Sequence, residues 1–224
     1  MQRTLSAFPW IVSCDTLKTE DLLVKYWGAA EQAAQIMTPG LPFAANHRTL
    51  AASLEHFVGE DSNADHWNDE AAAQLLDDMA EALQGYAPIG FSFGASVGDG
   101  ACFGFWLDED WAEVVRTLGM EDEDPAAWAS LIAELDNDGI DPGNFDDAYC
   151  GQVEGWNEDQ AGADYAQQLA DELGLPDNLN GTGAWPMSCI DWAEAWRELQ
   201  MGDGYRLHQL NGGDGLSWLV FRAV

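Results

Sequence analysis

Apolar side chains recur every three to four positions along most of this chain, and a few short runs alternate instead. The first spacing places residues on one face of an α-helix and the second on one face of a strand. Leu22, Leu23, Tyr26, Trp27, Ala30, Ala33 and Ala34 share a helical face, with Thr19 ahead of them as N-cap and Glu20 and Asp21 in the first turn. This predicts a helix over 19–37, ended by the T-P-G-L-P run from Thr38 to Pro42. Leu50, Leu54 and Phe57 predict a weaker helix over 47–58. Leu75, Leu76, Met79, Ala80 and Leu83 predict a strong one over 68–84, with Asp69, Glu70, Asp77, Asp78 and Glu81 outside. No cation sits four residues from those acids to pair them, an omission that costs a few tenths of a kcal/mol per like-charge pair.

Further helices are predicted over 108–119, opened by Asp108 and closed by Gly119, and over 125–136, where Pro125 suits the first helical position. A short helical piece at 145–149, a long helix capped by Asn157 and running to Leu173, and a last helix over 190–200 follow. The aromatic, glycine-punctuated runs 89–95 and 101–107, joined by S-V-G-D-G, read as a hairpin. A second hairpin is expected between 204–210 and 216–222, across N-G-G-D-G. Residues 5–14, interrupted by Pro9, suggest a short edge strand or packed arm. The expected class is therefore α+β, helix-rich with small antiparallel hairpins, in two or three subdomains: 1–87, mostly helical; 88–143, a hairpin plus acidic helices; and 144–224.

Charge changes this picture. The chain has 224 residues, 40 acidic and 8 basic, for a net charge of -32. Residues 1–48 and 197–224 hold seven acids and seven bases, so they are neutral, and the remaining 33 carboxylates lie between Thr49 and Trp196 with Arg116 as their single cation. That stretch also carries Trp67, Phe91, Phe93, Phe103, Phe105, Trp106, Trp111, Trp128, Phe145, Tyr149, Trp156 and Tyr165. Disordered acidic segments lack such residues, so this one should fold, although its surface repels itself. Nucleic acid and anionic lipid are disfavoured as direct partners, and basic proteins are favoured. No run of 18 apolar residues predicts a membrane span, and the start lacks a signal-peptide core, so a cytoplasmic protein is expected. Cys14, Cys102, Cys150 and Cys189 lack zinc spacing and are expected as buried thiols rather than disulfides.

Motifs for catalysis are weak. Gly90-Phe91-Ser92-Phe93-Gly94 matches the G-x-S-x-G elbow of serine hydrolases, but that motif needs a strand, a sharp turn and a helix, and here the serine lies mid-strand. Glu134 to Phe145 places acids at positions 1, 3 and 5 and Gly139 at position 6 of a calcium loop, yet Phe145 stands where the bidentate acid belongs and Pro142 intrudes at position 9. The same Asp-Asn-Asp-Gly run is ordinary turn chemistry. His47, His56, His66 and His208 have no metal spacing. No enzyme, cofactor or metal is expected.

What remains is the placed acid. A salt-loving protein's excess should cover the whole surface, whereas here the flanks balance. Duplex DNA presents about one charge per 1.7 Å of axis, and a compact domain of this length is about 45 Å across, so about 26 phosphates would lie along it, the order of the observed excess. The candidate phosphate-like acids are Asp108, Glu109, Asp110, Glu113, Glu121, Asp122, Glu123 and Asp124 in the middle of the chain, and Asp146, Asp147, Glu154, Glu158, Asp159, Asp164, Asp171 and Glu172 after it.

From Phe145 onward the chain reads Phe145-Asp146-Asp147-Ala148-Tyr149-Cys150-Gly151, then Trp156, Asp164-Tyr165-Ala166, Leu169-Ala170-Asp171-Glu172-Leu173-Gly174, Ile190-Asp191-Trp192 and Arg197-Glu198-Leu199. This order resembles the plasmid and transposon antirestriction family ArdA, over about 80 residues from Phe145 to Val224. Residues 1 to about 140 carry no such match. The resemblance implies an α+β DNA mimic, elongated and dimeric, that occupies the DNA groove of type I restriction enzymes, with Asp146, Asp147, Asp164, Asp171 and Glu172 standing in for phosphates. Asp147, Ala148, Tyr149 and Gly151 equally suit a conformational role. The expected partner is a basic DNA-binding protein of a host defence system, a restriction endonuclease or methyltransferase or a CRISPR effector, blocked by a mobile-element inhibitor. The alternatives are another acidic module for a histone-like or polymerase partner, and a small hydrolase using Ser92 or the acids of 134–146.

Overall fold

The computed structural model describes residues 5–37, 51–55, 70–173, 189–210 and 216–223. It is an α+β fold with two three-stranded antiparallel sheets, and the chain divides into two compact units, Met1–Ser130 and Leu131–Val224.

In the first unit, β1 (Ile11–Ser13), β2 (Phe91–Ala95) and β3 (Phe103–Leu107) form a sheet in the order β1-β3-β2, with Phe93 opposite Phe105. Residues 5–14 thus supply an edge strand, as their Pro9 suggested. The helices α1 (Thr19–Met37) and α2 (Glu70–Gln84) pack together and against this sheet. Leu23, Ala33, Ala72 and Leu83 are fully buried between them. Tyr26 meets Phe93 edge-on at 5.1 Å, and Phe8 meets Phe105 at 4.8 Å, arrangements that aromatic quadrupoles favour. Residues 51–55 are helical, and the rest of the helix expected over 47–58 lies outside the described residues, as does the expected start of α2 at Asn68. Cys14 and Cys102 form a disulfide, which corrects the expectation of four free thiols. The pairing of Ser13 with Phe103 brings the two neighbours together across β1 and β3, a juxtaposition that spacing in sequence could not reveal.

Two acidic helices follow. The helix α3 (Glu109–Thr117) buries Trp111, Val114 and Val115, and its C-terminus is closed by hydrogen bonds from Gly119 N to Arg116 O and Met120 N to Val115 O, both 3.0 Å. Its neighbour α4 (Pro125–Asn137) starts at the proline, with Asp124 Oδ1 accepting from Ala127 N at 2.8 Å. The boundary between the units falls inside α4, at 130/131. The divisions expected from sequence lay at 87/88 and 143/144, but the β2–β3 hairpin shares the core of α1 and α2.

The second unit contains α5 (Phe145–Ala148), β4 (Tyr149–Glu154), α6 (Glu158–Glu172), α7 (Trp192–Gly202), β5 (Tyr205–Gln209) and β6 (Ser217–Arg222), with strand order β4-β6-β5. The C-terminal hairpin was expected; β4 was not, because Y-C-G-Q-V-E buries only Val153 and shows little alternation. One sheet face, with Val153, Tyr205 and Val220, packs on Ala161, Tyr165 and Ala166 of α6 and Trp196 of α7. The other carries Leu219 and Phe221, both 0% exposed, and Phe221 meets Phe145 at 5.8 Å and Tyr149 at 5.5 Å. Both α6 and α7 begin on side-chain caps, Asn157 Oδ1 accepting from Gln160 N at 2.9 Å and Asp191 Oδ1 from Glu194 N at 3.1 Å. The irregular stretch expected from Pro176 to Pro186 lies outside the described residues.

Gly162 marks the closest approach of α6 to α7. A Cβ there would drive into the Trp196 indole, and Trp196 is only 2% exposed, with no room to retreat. Gly162→Ala is expected to destabilise the protein by about 1–3 kcal/mol through overpacking, although alanine improves helix propensity by about 1 kcal/mol; the midpoint of urea unfolding measures the net effect. Burial pushes the Tyr26 phenol up from 10.0 to about 12. A raised folded-state pKa leaves stability intact below pH 10 and removes it as pH climbs toward 12, because the unfolded chain ionises first. Urea midpoints at pH 9 and pH 11 should therefore differ less in Tyr26→Phe than in the unsubstituted chain.

Candidate partner-binding surface

The sixteen candidate acids divide evenly between the units. Eight belong to the first: Asp108, Glu109, Asp110 and Glu113 at and on α3, and Glu121, Asp122, Glu123 and Asp124 in the turn leading to α4. Asp146 and Asp147 on α5, Glu154 on β4, and Glu158, Asp159, Asp164, Asp171 and Glu172 on α6 belong to the second. All are exposed except Asp108 and Glu123, which are half-buried.

This outward disposition follows from the apolar stripe behind each acid. On α3 the buried Trp111, Val114 and Val115 leave positions 109, 110 and 113 to solvent, and on α6 the buried Ala161, Gly162, Tyr165 and Ala166 do the same for 158, 159, 164, 171 and 172. The first turns of both helices also carry acids, Glu109 and Asp110 on α3 and Glu158 and Asp159 on α6, where the helix dipole welcomes negative charge.

Three of the sixteen have a local bond. Asp108 Oδ1 accepts from the Ser92 hydroxyl at 2.8 Å, Asp124 caps α4, and Glu158 Oε1 accepts from Gln200 Nε2 at 3.4 Å. Among the described residues none of the sixteen is in an ion pair with lysine or arginine. The ion pairs of the described arginines and lysines involve other acids, Lys25 with Asp15 at 3.7 Å and Arg197 with Glu194. Arg116 is exposed in the last turn of α3, where a cation complements the negative helix end.

The F-D-D-A-Y-C-G run separates into a frame and a display. Phe145 and Ala148 are buried, Tyr149 stacks on Phe145 at 5.3 Å, and Gly151 has φ +133. Those positions build the sheet's supporting layer. Asp146 and Asp147 are exposed on the same turn.

Two motif readings acquire concrete geometry. Ser92 is the second residue of β2, with Asp108 as its hydroxyl's acceptor. The acids of the calcium-loop reading, Glu134, Asp136 and Asp138, lie on and just beyond the final turn of α4. Gly139, at φ +78, ends that helix, with Ile140 N donating to Leu135 O at 2.9 Å. Among the described residues no three potential ligands lie close enough to hold a metal, and no helix is long and apolar enough to cross a membrane.

A cluster with no sequence signal joins α4 to β5. His208 is buried, with Nδ1 3.4 Å from Glu134 Oε2 and Nε2 3.1 Å from Asp138 Oδ2. The second contact has the distance of a hydrogen bond without its angle, so among the described residues Nε2 lacks a properly directed partner. Glu134 and Asp138, one helical turn apart, thus meet a residue 70 or more positions away in sequence.

No family model, no curated protein and no solved structure matches this chain.

A folded surface of unpaired carboxylates should be stabilised by screening. Raising KCl from 0.01 M to 1 M shortens the Debye length from about 30 Å to about 3 Å. The thermal midpoint is expected to rise by at least about 2–4 °C, the equivalent of 1 kcal/mol for a chain of this size; calorimetry across a KCl series measures it.

Proposed function

We propose that this protein is a DNA-mimicking inhibitor that occupies the basic DNA-binding channel of a host defence enzyme, a restriction endonuclease or methyltransferase or a CRISPR effector. The observation that carries this reading is the set of fourteen exposed candidate acids that, among the described residues, have no ion-pairing lysine or arginine, most of them on elements backed by buried apolar side chains. Ordinary surfaces intersperse both signs, which relieves repulsion; this one forgoes that relief. Retention of charge at a cost to stability is understandable where the charge itself is the working part.

The mechanism is competitive and needs no bond-making. Arginines and lysines lining a DNA channel hold phosphates at intervals, and the DNA releases its condensed counterions as it binds. A protein that presents carboxylates on rigid helices satisfies the same cations without supplying a cleavable strand. Fixed positions matter, because ordering a flexible acidic tail on the partner would cost conformational entropy that prefolded helices have already lost. The partial resemblance to the antirestriction family supports the same reading, and extends it to a cytoplasmic, mobile-element setting and a homodimer.

Expression in a restriction-proficient and in a CRISPR-proficient host, each challenged with phage, tests the proposal. Plating should recover in at least one host, and Glu121→Gln, Asp122→Asn, Asp146→Asn and Asp147→Asn combined should reduce that recovery. Binding to the affected enzyme should weaken steeply with salt, by about 10³-fold or more between 50 and 200 mM if six or more contacts form, by analogy with phosphate contacts. Unaltered plating in both hosts, or binding indifferent to salt, would overturn the reading.

A further inference from the structure

A groove in the second unit has features that general negative charge does not explain. The strand β4 lies at the margin of its sheet, and among the described residues only β6 pairs with it. Gly155 N donates to Leu216 O at 2.7 Å, and hydrogen-bonded and non-bonded positions alternate along an antiparallel pair. Val153 therefore bonds toward β6, and Gln152 and Glu154 direct their backbone N–H and C=O groups to the free side.

Facing that edge is one stripe of α6. Asp164, Gln167, Gln168 and Asp171 are spaced i, i+3, i+4 and i+7, so successive turns present them in one direction. With Gln152 and Glu154 they line an open groove of about 440 Å³. None of the groove's lining residues is basic. Its two walls differ in kind: a strand edge with unused peptide groups, and a helix with carboxylates at both ends of a pair of amides.

We infer that this groove binds an extended, arginine-bearing segment of a partner protein by strand addition to β4. A peptide laid along the edge exchanges backbone hydrogen bonds with Gln152 and Glu154. Its side chains on one face stand about 7 Å apart. Asp164 and Asp171 lie about 10 Å apart along the helix axis, within reach of two long cationic side chains on that face. Gln167 and Gln168 supply donors and acceptors to the intervening peptide. Nucleic acid is repelled by the three carboxylates, and an amphipathic helix would find no apolar floor wide enough for its stripe. The inference rests on the reading that the partner is a basic protein, and adds which element of that partner docks and where.

The test uses the full chain and a blocked nine-residue peptide of alternating arginine and threonine, followed by calorimetric titration. A second peptide of the same composition and charge carries N-methylated amides on its strand-pairing edge, which removes the donors needed for pairing. The first should bind and the second should bind at least about tenfold more weakly, the loss of about 1.4 kcal/mol. Asp164→Asn with Asp171→Asn should weaken the first peptide by a similar factor, while Asp77→Asn with Glu81→Gln, the same charge change at exposed positions of α2, should leave it within about twofold, the size of a lost long-range surface term. Equal binding of the two peptides, or equal loss in both pairs of variants, would reduce the groove to general charge attraction and overturn the inference, as would no binding at all. The titration contains no defence enzyme. A groove that passes it stands even if phage plating is unaffected, and a groove that fails falls even if plating recovers fully.

Discussion

Like-charge repulsion without counter-cations is the constraint that the rest of this molecule answers to. With a net charge of -32 on 224 residues, the compact state is opposed by its own surface, so each acidic element must be held from behind. The two cores do this. In the first unit an aromatic sheet of Phe93, Phe103 and Phe105 locks α1 and α2, and in the second Trp196, Tyr165 and Tyr205 gather α6 and α7 onto the sheet. A buried Trp or Phe typically contributes about 3–5 kcal/mol against alanine, an order larger than a single surface pair of like charges costs. A few large side chains therefore offset many small repulsions.

The same constraint accounts for how helices begin and end. Acids placed in first turns meet the positive end of the helix dipole, and Asp124, Asn157 and Asp191 spend their oxygens on backbone N–H groups. Part of the polar and negative character at helix starts is thus structural. The carboxylates of Glu134 and Asp138 belong to a third category, because they converge on the buried His208 and tie the end of α4 to β5 within the second unit.

Small residues set the distances at which these layers meet. The indole of Trp196 packs where Gly162 has no side chain, and Trp218 Nε1 donates to Gly155 O at 2.9 Å. In the F-D-D-A-Y-C-G run Phe145 is buried, Tyr149 is half-buried and the two aspartates are exposed.

Much of this was legible in the chain's own pattern. Amphipathic spacing located α1, α3, α4 and α6 to within about two residues, because each has an apolar stripe whose spacing acts locally. The same stripes told which acids would face water, as Glu109, Asp110, Glu113 and Asp164 do. What spacing could not reveal were relations across the chain. The strand β4 owes its conformation to β6, some 65 residues on, and not to its own weak alternation; the Cys14–Cys102 bond depends on the register of β1 with β3; and the hairpin's membership of the first core depends on Phe105 meeting Phe8. The groove between β4 and α6 and the pairing of His208 with Glu134 and Asp138 have the same origin. Local periodicity and capping determined the helices and the outward charge, whereas strand partners, and every site assembled from separate elements, were decided by long-range packing, since only a folded core brings distant residues within hydrogen-bonding reach.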